Sequence, residues 1–306
     1  MIKSFLWFFF VISTTKFIWA APCCGGTANV PSLISGDDSA QVSATFLYSQ
    51  IVAEAPVGGG IKYRKSGDNE IAQTLKLDAA TLISDRWQMG LTVPITRRAR
   101  VRGDNKVSSS GLGDLSLNVG YEALPSWTYS SWRPKALVFL SATFPTGGSI
   151  YDATQLYRID SRGRGFYSLS AGSLILKTVD IWDLSLVVEG HRAFSRTVRN
   201  ESGDLILNPG WGISGTLNVG LSPMNGDFRL GIALSPSYED PVSTEGIFSG
   251  KGEKISLWTS SLLVSYMASD LVSMTLTYSD QTLIRASDNS ALNKTIGILI
   301  QKRWDR

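Results

Sequence analysis

The chain has 306 residues, of which 43% are hydrophobic, 10% aromatic and 18% charged, with 29 glycines and a formal net charge of +3. A mean hydropathy of +0.04 excludes a bundle of membrane helices, and a balance this near neutral gives no electrostatic case for a nucleic-acid partner. Two adjacent cysteines without a nearby histidine make a poor metal site, so no metal and no cofactor is expected.

Met1 to Ala20 carries Lys3, an apolar run from Phe5 to Ile12, and Ile18-Trp19-Ala20 before Ala21. This is the pattern of a secretory signal cut after Ala20. The run is too short to span a bilayer, and Lys16 interrupts its continuation. Cys23 and Cys24 follow at once. Pro22 stands where a lipid-attachment signal wants a small residue, so the pair reads as exposed or oxidised, and a vicinal bond would close no loop worth stabilising. Residues 21–38 are rich in Gly, Ser and Pro and read as a flexible periplasmic lead-in.

From residue 39 to 306 the chain reads as one unit of twelve strands with period 2. The plainest stretch is Pro209 to Ser235. Trp211, Ile213, Leu217, Val219 and Leu221 alternate with Gly212, Ser214, Thr216, Asn218 and Gly220; after a turn, Phe228, Leu230, Ile232 and Leu234 alternate with Arg229, Gly231, Ala233 and Ser235. That is a hairpin. The other strands are expected at about Ala40–Ala53, Glu70–Ile83, Arg86–Arg97, Gly113–Leu124, Lys135–Phe144, Gly165–Lys177, Ile181–Phe194, Lys254–Met267, from Val272, and Lys294–Trp304. Runs of ten or more residues fit strands that cross a bilayer, which need about 9 to 11 tilted residues.

The connections alternate in length. Pro56–Asn69, Ala99–Leu112, Pro145–Arg164, Ser195–Asn208 and Glu239–Glu253 are long and polar, with Arg285–Asn293 a shorter sixth, whereas Ser84-Asp85, Thr178–Asp180, Pro223–Asp227 and Ala268–Asp270 are tight, with Pro125–Pro134 the one longer exception. Short turns on one side, long loops on the other and an even strand count predict an all-β, up-and-down transmembrane barrel of the bacterial outer membrane. The polar face carries Lys76, Asp78, Arg86, Gln88, Asp114, Asn118, Glu122, Asp183, Glu189 and Arg229. Such residues cannot fill a dry core, so they are expected to line the lumen while the apolar face meets lipid. Trp87, Tyr121, Trp182, Trp211, Tyr266 and Tyr278 lie near the ends of their runs, as interfacial girdles do.

Basic residues gather in the long loops: Lys62, Arg64, Arg98, Arg100, Arg102, Arg162 and Arg164. If those loops face outward they form a rim suited to the phosphates of lipopolysaccharide, or one that steers anions into the mouth.

Gly111-Leu112-Gly113-Asp114-Leu115-Ser116-Leu117 resembles a strand of the outer-membrane family named for the meta-pathway of phenol degradation. Arg86-Trp87-Gln88-Met89-Gly90-Leu91-Thr92-Val93-Pro94 and Ala142-Thr143-Phe144-Pro145-Thr146-Gly147 are similar to that family too. The resemblance implies an outer-membrane, transporter-like barrel and supplies no catalytic residues. Such barrels commonly end on an aromatic residue that the barrel assembly machinery reads; here Asp305 and Arg306 follow Trp304.

Enzymatic readings find little support. His191 is the only histidine, and Ser195 on the same strand would lie about 13 Å away at about 3.3 Å per residue, too far for a base to reach. The sequence therefore points to a narrow channel or transporter for small solutes, because twelve strands fall between filled eight-stranded barrels and open porins. The rival readings are a structural or surface-interaction barrel with an occluded lumen, acting through its outer loops, and, behind that, a lipid hydrolase. Outer-membrane lipid, lipopolysaccharide and the assembly machinery are the expected partners.

Overall fold

A computed structural model describes residues 31–125, 132–200, 203–223, 227–246 and 249–306. The expected leader at 1–20 and the pair Cys23 and Cys24 lie outside the described residues, as does the lead-in up to residue 30.

Twelve antiparallel strands form the wall: β1 (Asp38–Ala55), β2 (Asp68–Leu82), β3 (Trp87–Arg102), β4 (Leu115–Leu124), β5 (Lys135–Phe144), β6 (Ser168–Val179), β7 (Trp182–Ala193), β8 (Trp211–Leu221), β9 (Phe228–Glu239), β10 (Ile255–Ser269), β11 (Val272–Asp280) and β12 (Ser290–Asp305). Each bonds its neighbour in sequence, and β12 returns to bond β1, with Phe46 opposite Ile298 and Tyr48 opposite Ile296. The sheet is therefore closed. Alternation then sets the two faces. Along β3, Trp87, Met89 and Leu91 are exposed on the outside while Gln88 and Thr92 are buried on the inside. Exposed Leu and Ile side chains recur on β7, β8, β11 and β12, in the pattern of a lipid-facing belt. Aromatic pairs mark its rim at the short-turn end: Trp87 on Tyr121 and Phe228 on Tyr266, each with ring centroids 4.9 Å apart.

The long loops are more ordered than their polarity suggests. Ala99–Leu112, expected as a loop, continues β3 as a hairpin with the strand Asn105–Leu112, turning at Gly103, whose positive φ suits a tight turn. The loops expected at Ser195–Asn208 and Glu239–Glu253 pair with each other. Arg196–Asn200, Gly203–Asn208, Ser243–Gly246 and Gly250–Lys251 make a separate four-stranded sheet above the wall. Its small core is Phe166, Val198 and Leu207. Cross-chain pairing between two loops leaves little local signature, so period 2 over five residues reads as coil.

The lead-in requires the larger correction. Residues 31–37 are not a free periplasmic segment but enter the barrel from the short-turn end. Leu33 packs on Leu137, Phe139, Leu174, Leu176 and Val187, all on the inner faces of β5 to β7. The side chain of Gln88 bonds both the N–H and the carbonyl of Ile34, Asn118 donates to the Ser32 carbonyl, and Gln41 donates to that of Leu33. Gly90 and Gly120 face this segment, and a Cβ at either would strike Ser32 or Leu33. The wall is thus hollowed to receive it.

Because the outer face must meet hydrocarbon, charge there is expected to be costly. Ile298→Arg, on the outer face of the β1–β12 seam, should destabilise the folded barrel by about 2–4 kcal/mol in unfolding from lipid bilayers. Substituting its inward-facing neighbour Gly297→Ser should cost far less.

Candidate functional site

Between the inserted segment and the mouth lies a chamber of about 640 Å³. Hydroxyls are the commonest groups on its walls, among them Ser43, Thr45, Thr74, Thr92, Thr96 and Thr277, interspersed with charged groups. Ser32 and Leu33 form the inner end, and residues 161–164 of the β5–β6 loop form part of the outer end.

Of the residues expected in the lumen, all but Arg86 sit on the inner side of the wall. Lys76 pairs with Asp78 at 3.3 Å, and Asp78 accepts a bond from Thr92 Oγ1 at 2.6 Å. Gln88 and Asn118 hold the inserted segment, as described. Glu122 reaches Lys135 Nζ at 3.4 Å, and that ammonium also donates to the Gly36 carbonyl. Asp183 receives a two-pronged bond from Arg229, at 2.8 and 2.6 Å, with both side chains buried. Glu189 lines the chamber beside His191, and Asp114 lines it at the loop. Arg86 is instead exposed in the turn before β3, where its carbonyl accepts a bond from the Glu122 N–H. The strand begins at Trp87, one residue later than expected.

The basic residues expected to form an outer rim are mostly turned inward. Glu70, buried at the mouth, accepts from Arg98 at 2.6 Å and Arg64 at 3.0 Å, with Arg100 at 3.4 Å. Arg100 also forks onto Asp68 at 3.0 and 2.9 Å and lies 4.8 Å from the Tyr157 ring centroid. Arg162 donates to Ser109 Oγ, and Arg164 reaches Glu239 at 2.7 Å. Lys62 and Arg102 are exposed at the outer edge. For Arg98 and Arg100 the reason is parity: they share the inward phase of Gln88 and Thr92, which is lost if β3 is stopped at Arg97, while Arg102, at the end of the strand, stands clear of the mouth.

His191 has no serine partner in hydrogen-bond reach among the described residues. Its Nε2 is 2.9 Å from Glu239 Oε2 and 3.0 Å from Arg164 Nη1. This is a structural ion cluster joining β7, β9 and the β5–β6 loop.

That loop is the feature the sequence did not announce. It folds over the mouth rather than out into solvent. Arg98 Nη1 donates to the Ser161 carbonyl at 2.7 Å, and Arg162 and Gly163 donate to the Gly148 carbonyl. Outside the wall, Arg196 on the outer sheet bonds Asp152 at 2.6 Å. Burial alone would raise the Asp152 pKa, but the Arg196 guanidinium and the Ser149 hydroxyl hold it below the ordinary carboxylate value.

No protein-family model matches the sequence, and no curated protein matches it. Solved structures do match the fold. The COG4313 outer membrane channel from Pseudomonas putida F1 aligns with a TM-score of 0.69 at 12% identity, covering 91% of this chain and 99% of that one. The transport unit of the autotransporter AIDA-I from Escherichia coli aligns with a TM-score of 0.50 at 7% identity, covering 91% of this chain and 94% of that one. The chain is an outer-membrane β-barrel. It shares its barrel fold with these proteins, and the particular family suggested by its strand motifs is not shown by these matches.

The sequence also hid the apolar strip of Leu137, Phe139, Leu174, Leu176 and Val187 inside the lumen. The signal was present in Lys135–Phe144 and Leu169–Leu176, which are apolar on both faces.

Two outcomes are expected. Asp183→Ala leaves Arg229 buried without its carboxylate and should cost about 3–5 kcal/mol in bilayer unfolding, whereas Asp204→Ala on the exposed outer sheet should cost under about 1 kcal/mol. Asp152 is depressed when folded, so its bond to Arg196 contributes above the unfolded pKa of about 4 and is lost as pH falls through the lower folded value. Amide protection, taken relative to the intrinsic exchange rate at each pH, should fall together in 149–166, 196–200 and 203–208 below about pH 4.

Proposed function

We propose that the protein is a narrow outer-membrane channel for small solutes, whose path runs through the hydroxyl-lined chamber and is shut at its inner end by residues 31–37. One observation carries this reading: a polar chamber of about 640 Å³ lies inside the barrel, and the segment at its inner end is held through side-chain to backbone hydrogen bonds and the side chains of Leu33 and Ile34, not as part of a wall-to-wall packed core. The likeness to an outer membrane channel from Pseudomonas putida F1 over nearly the whole chain supports the architecture. The wall is two-faced, with hydroxyls and ion pairs on one side and the strip under Leu33 on the other. That suits solutes that combine polar groups with a small apolar part.

The mouth arginines Arg64, Arg98, Arg100 and Arg164 are matched by Glu54, Asp68, Glu70 and Glu239, so steering of charged solutes falls to the exposed Lys62 and Arg102. Contact with lipopolysaccharide then falls to Lys62 and Arg102; Arg164 is exposed too, but it lines the chamber.

Single-channel recording in planar bilayers tests the reading. Wild type should show small or infrequent steps. Leu33→Asp places a carboxylate in an apolar strip and should expel the segment, and Gln88→Ala removes both bonds to Ile34. Both variants should open more often and conduct more. A heat-modifiable barrel that stays silent in all three forms would sink the channel reading and leave the outer loops as the working part.

A further inference from the structure

The β5–β6 loop is tied to the barrel by one carboxylate at both of its ends. Asp114, at the head of β4, accepts the Gly147 N–H on Oδ1 at 3.0 Å and the Arg164 N–H on Oδ2 at 2.7 Å. Residue 147 lies at the start of the loop and residue 164 near its end, so a single side chain pinches the loop shut at its base. Two glycines permit the approach. A Cβ at Gly163 would strike the Asp114 carboxylate, and one at Gly147 would lie 3.0 Å from Asp114 Oδ1.

The rest of the loop is braced from three other directions. Thr146 Oγ1 donates to the Gly113 carbonyl at 2.6 Å and accepts the Leu115 N–H at 3.1 Å, on the same side as Asp114. Across the mouth, β3 holds the tip through Arg98 on the Ser161 carbonyl, and Tyr157 lies over Arg100. Arg164 reaches Glu239 on β9 and His191 on β7. Within the loop, Asp160 Oδ2 accepts the Thr154 N–H at 3.0 Å, and Ile159 is fully buried. Tyr157 and Arg158 are held at φ of 59° and 51°, unusual for non-glycine residues and stable only where surroundings over-determine them.

These contacts make the loop a bridge over the pore and not a lid. We propose that residues 145–167 form a fixed constriction that sets the size limit of the channel, and that Asp114 is its positioning residue. The assignment rests on the channel reading above for its consequence, but not for its geometry. It also gives a physical role to the Gly-Leu-Gly-Asp stretch: Asp114 is the anchor, while Gly111 leaves room for the Arg162 guanidinium, whose Nε would otherwise lie 2.8 Å from a Cβ there. A charge-assisted bond to backbone N–H is among the stronger kinds, and Asp114 makes two.

The test uses full-length protein in liposomes and planar bilayers, comparing wild type with Asp114→Ala, Asp114→Asn and Gly163→Ala, each with and without Gln88→Ala so that the inner segment does not limit the polymer size read out. Asn keeps one acceptor oxygen and should give an intermediate effect. Gly163→Ala acts on the same contact from the loop side, should Asp114→Ala fail to fold. Asp204→Asn, which removes the same charge from the outer sheet, is the control. Two readouts are taken on barrels of unchanged heat-modifiable mobility: the largest polyethylene glycol that still lowers conductance, and the rate of tryptic cleavage after Arg158, Arg162 and Arg164. Loss of the anchor should admit larger polymers and speed cleavage by roughly tenfold, the fold-change expected for losing a charged hydrogen bond. Wild-type values of both readouts in Asp114→Ala and Gly163→Ala would overturn the proposal while leaving the channel intact. Faster cleavage in barrels that never conduct would uphold the anchor and overturn the channel.

Discussion

Closure of the sheet is the constraint on which everything else depends. Hydrocarbon offers no partner for a backbone N–H or carbonyl, so a sheet that crosses it must have no edge. The seam between β1 and β12 meets that demand along nearly the full length of both strands, from Asp38 opposite Asp305 to Ala55 opposite Ser290. Its outer end is clasped further, where Asp288 accepts the N–H groups of Gly58 and Gly59. With the wall closed, the pleat assigns every second side chain to lipid and every other one to the interior. The exposed Leu, Ile and aromatic residues and the buried Ser, Thr and charged residues follow from that single condition.

The interior then faces the opposite problem. Its polar groups lie in a confined space, where an unpaired charge is expensive. The chain resolves this by pairing: Asp183 with Arg229, Lys76 with Asp78, and Glu70 with three arginines at the mouth. Such pairs are weak evidence for net stability, but each is costly to break on one side. They also fix the shape of the lumen. The ions stand against the walls, and the space between them is left to two segments that are not wall at all.

Those two segments decide what the barrel can do. At the inner end, residues 31–37 lie on a floor prepared by Gly90 and Gly120 and by an apolar strip from three adjacent strands. At the outer end, the 145–167 loop is drawn across the mouth by Asp114, Arg98, Glu239 and His191. The inner segment is held by amide bonds from Gln88, Asn118 and Gln41, by the Lys135 ammonium on the Gly36 carbonyl and by the buried Leu33 and Ile34, and the outer one mainly by charged groups and the buried Ile159.

The sequence by itself determined the class of fold, because period 2 and the alternation of short and long connections are local properties repeated twelve times. It determined which face of each strand is polar for the same reason, and hence the inner position of Asp78, Gln88, Asn118, Asp183 and Arg229. Three things only the tertiary structure decided. Which arginines face out depended on where β3 ends, since Arg98 and Arg100 keep an inward phase that a loop would have erased. The pairing of the two outer loops into one sheet joined residues about forty positions apart through backbone bonds that carry no side-chain signature. The narrowing of the lumen at both ends rested on contacts such as Leu33 with Leu174, and Asp114 with Arg164. In these a short stretch of ordinary composition takes its meaning from a partner that only closure of the barrel brings near.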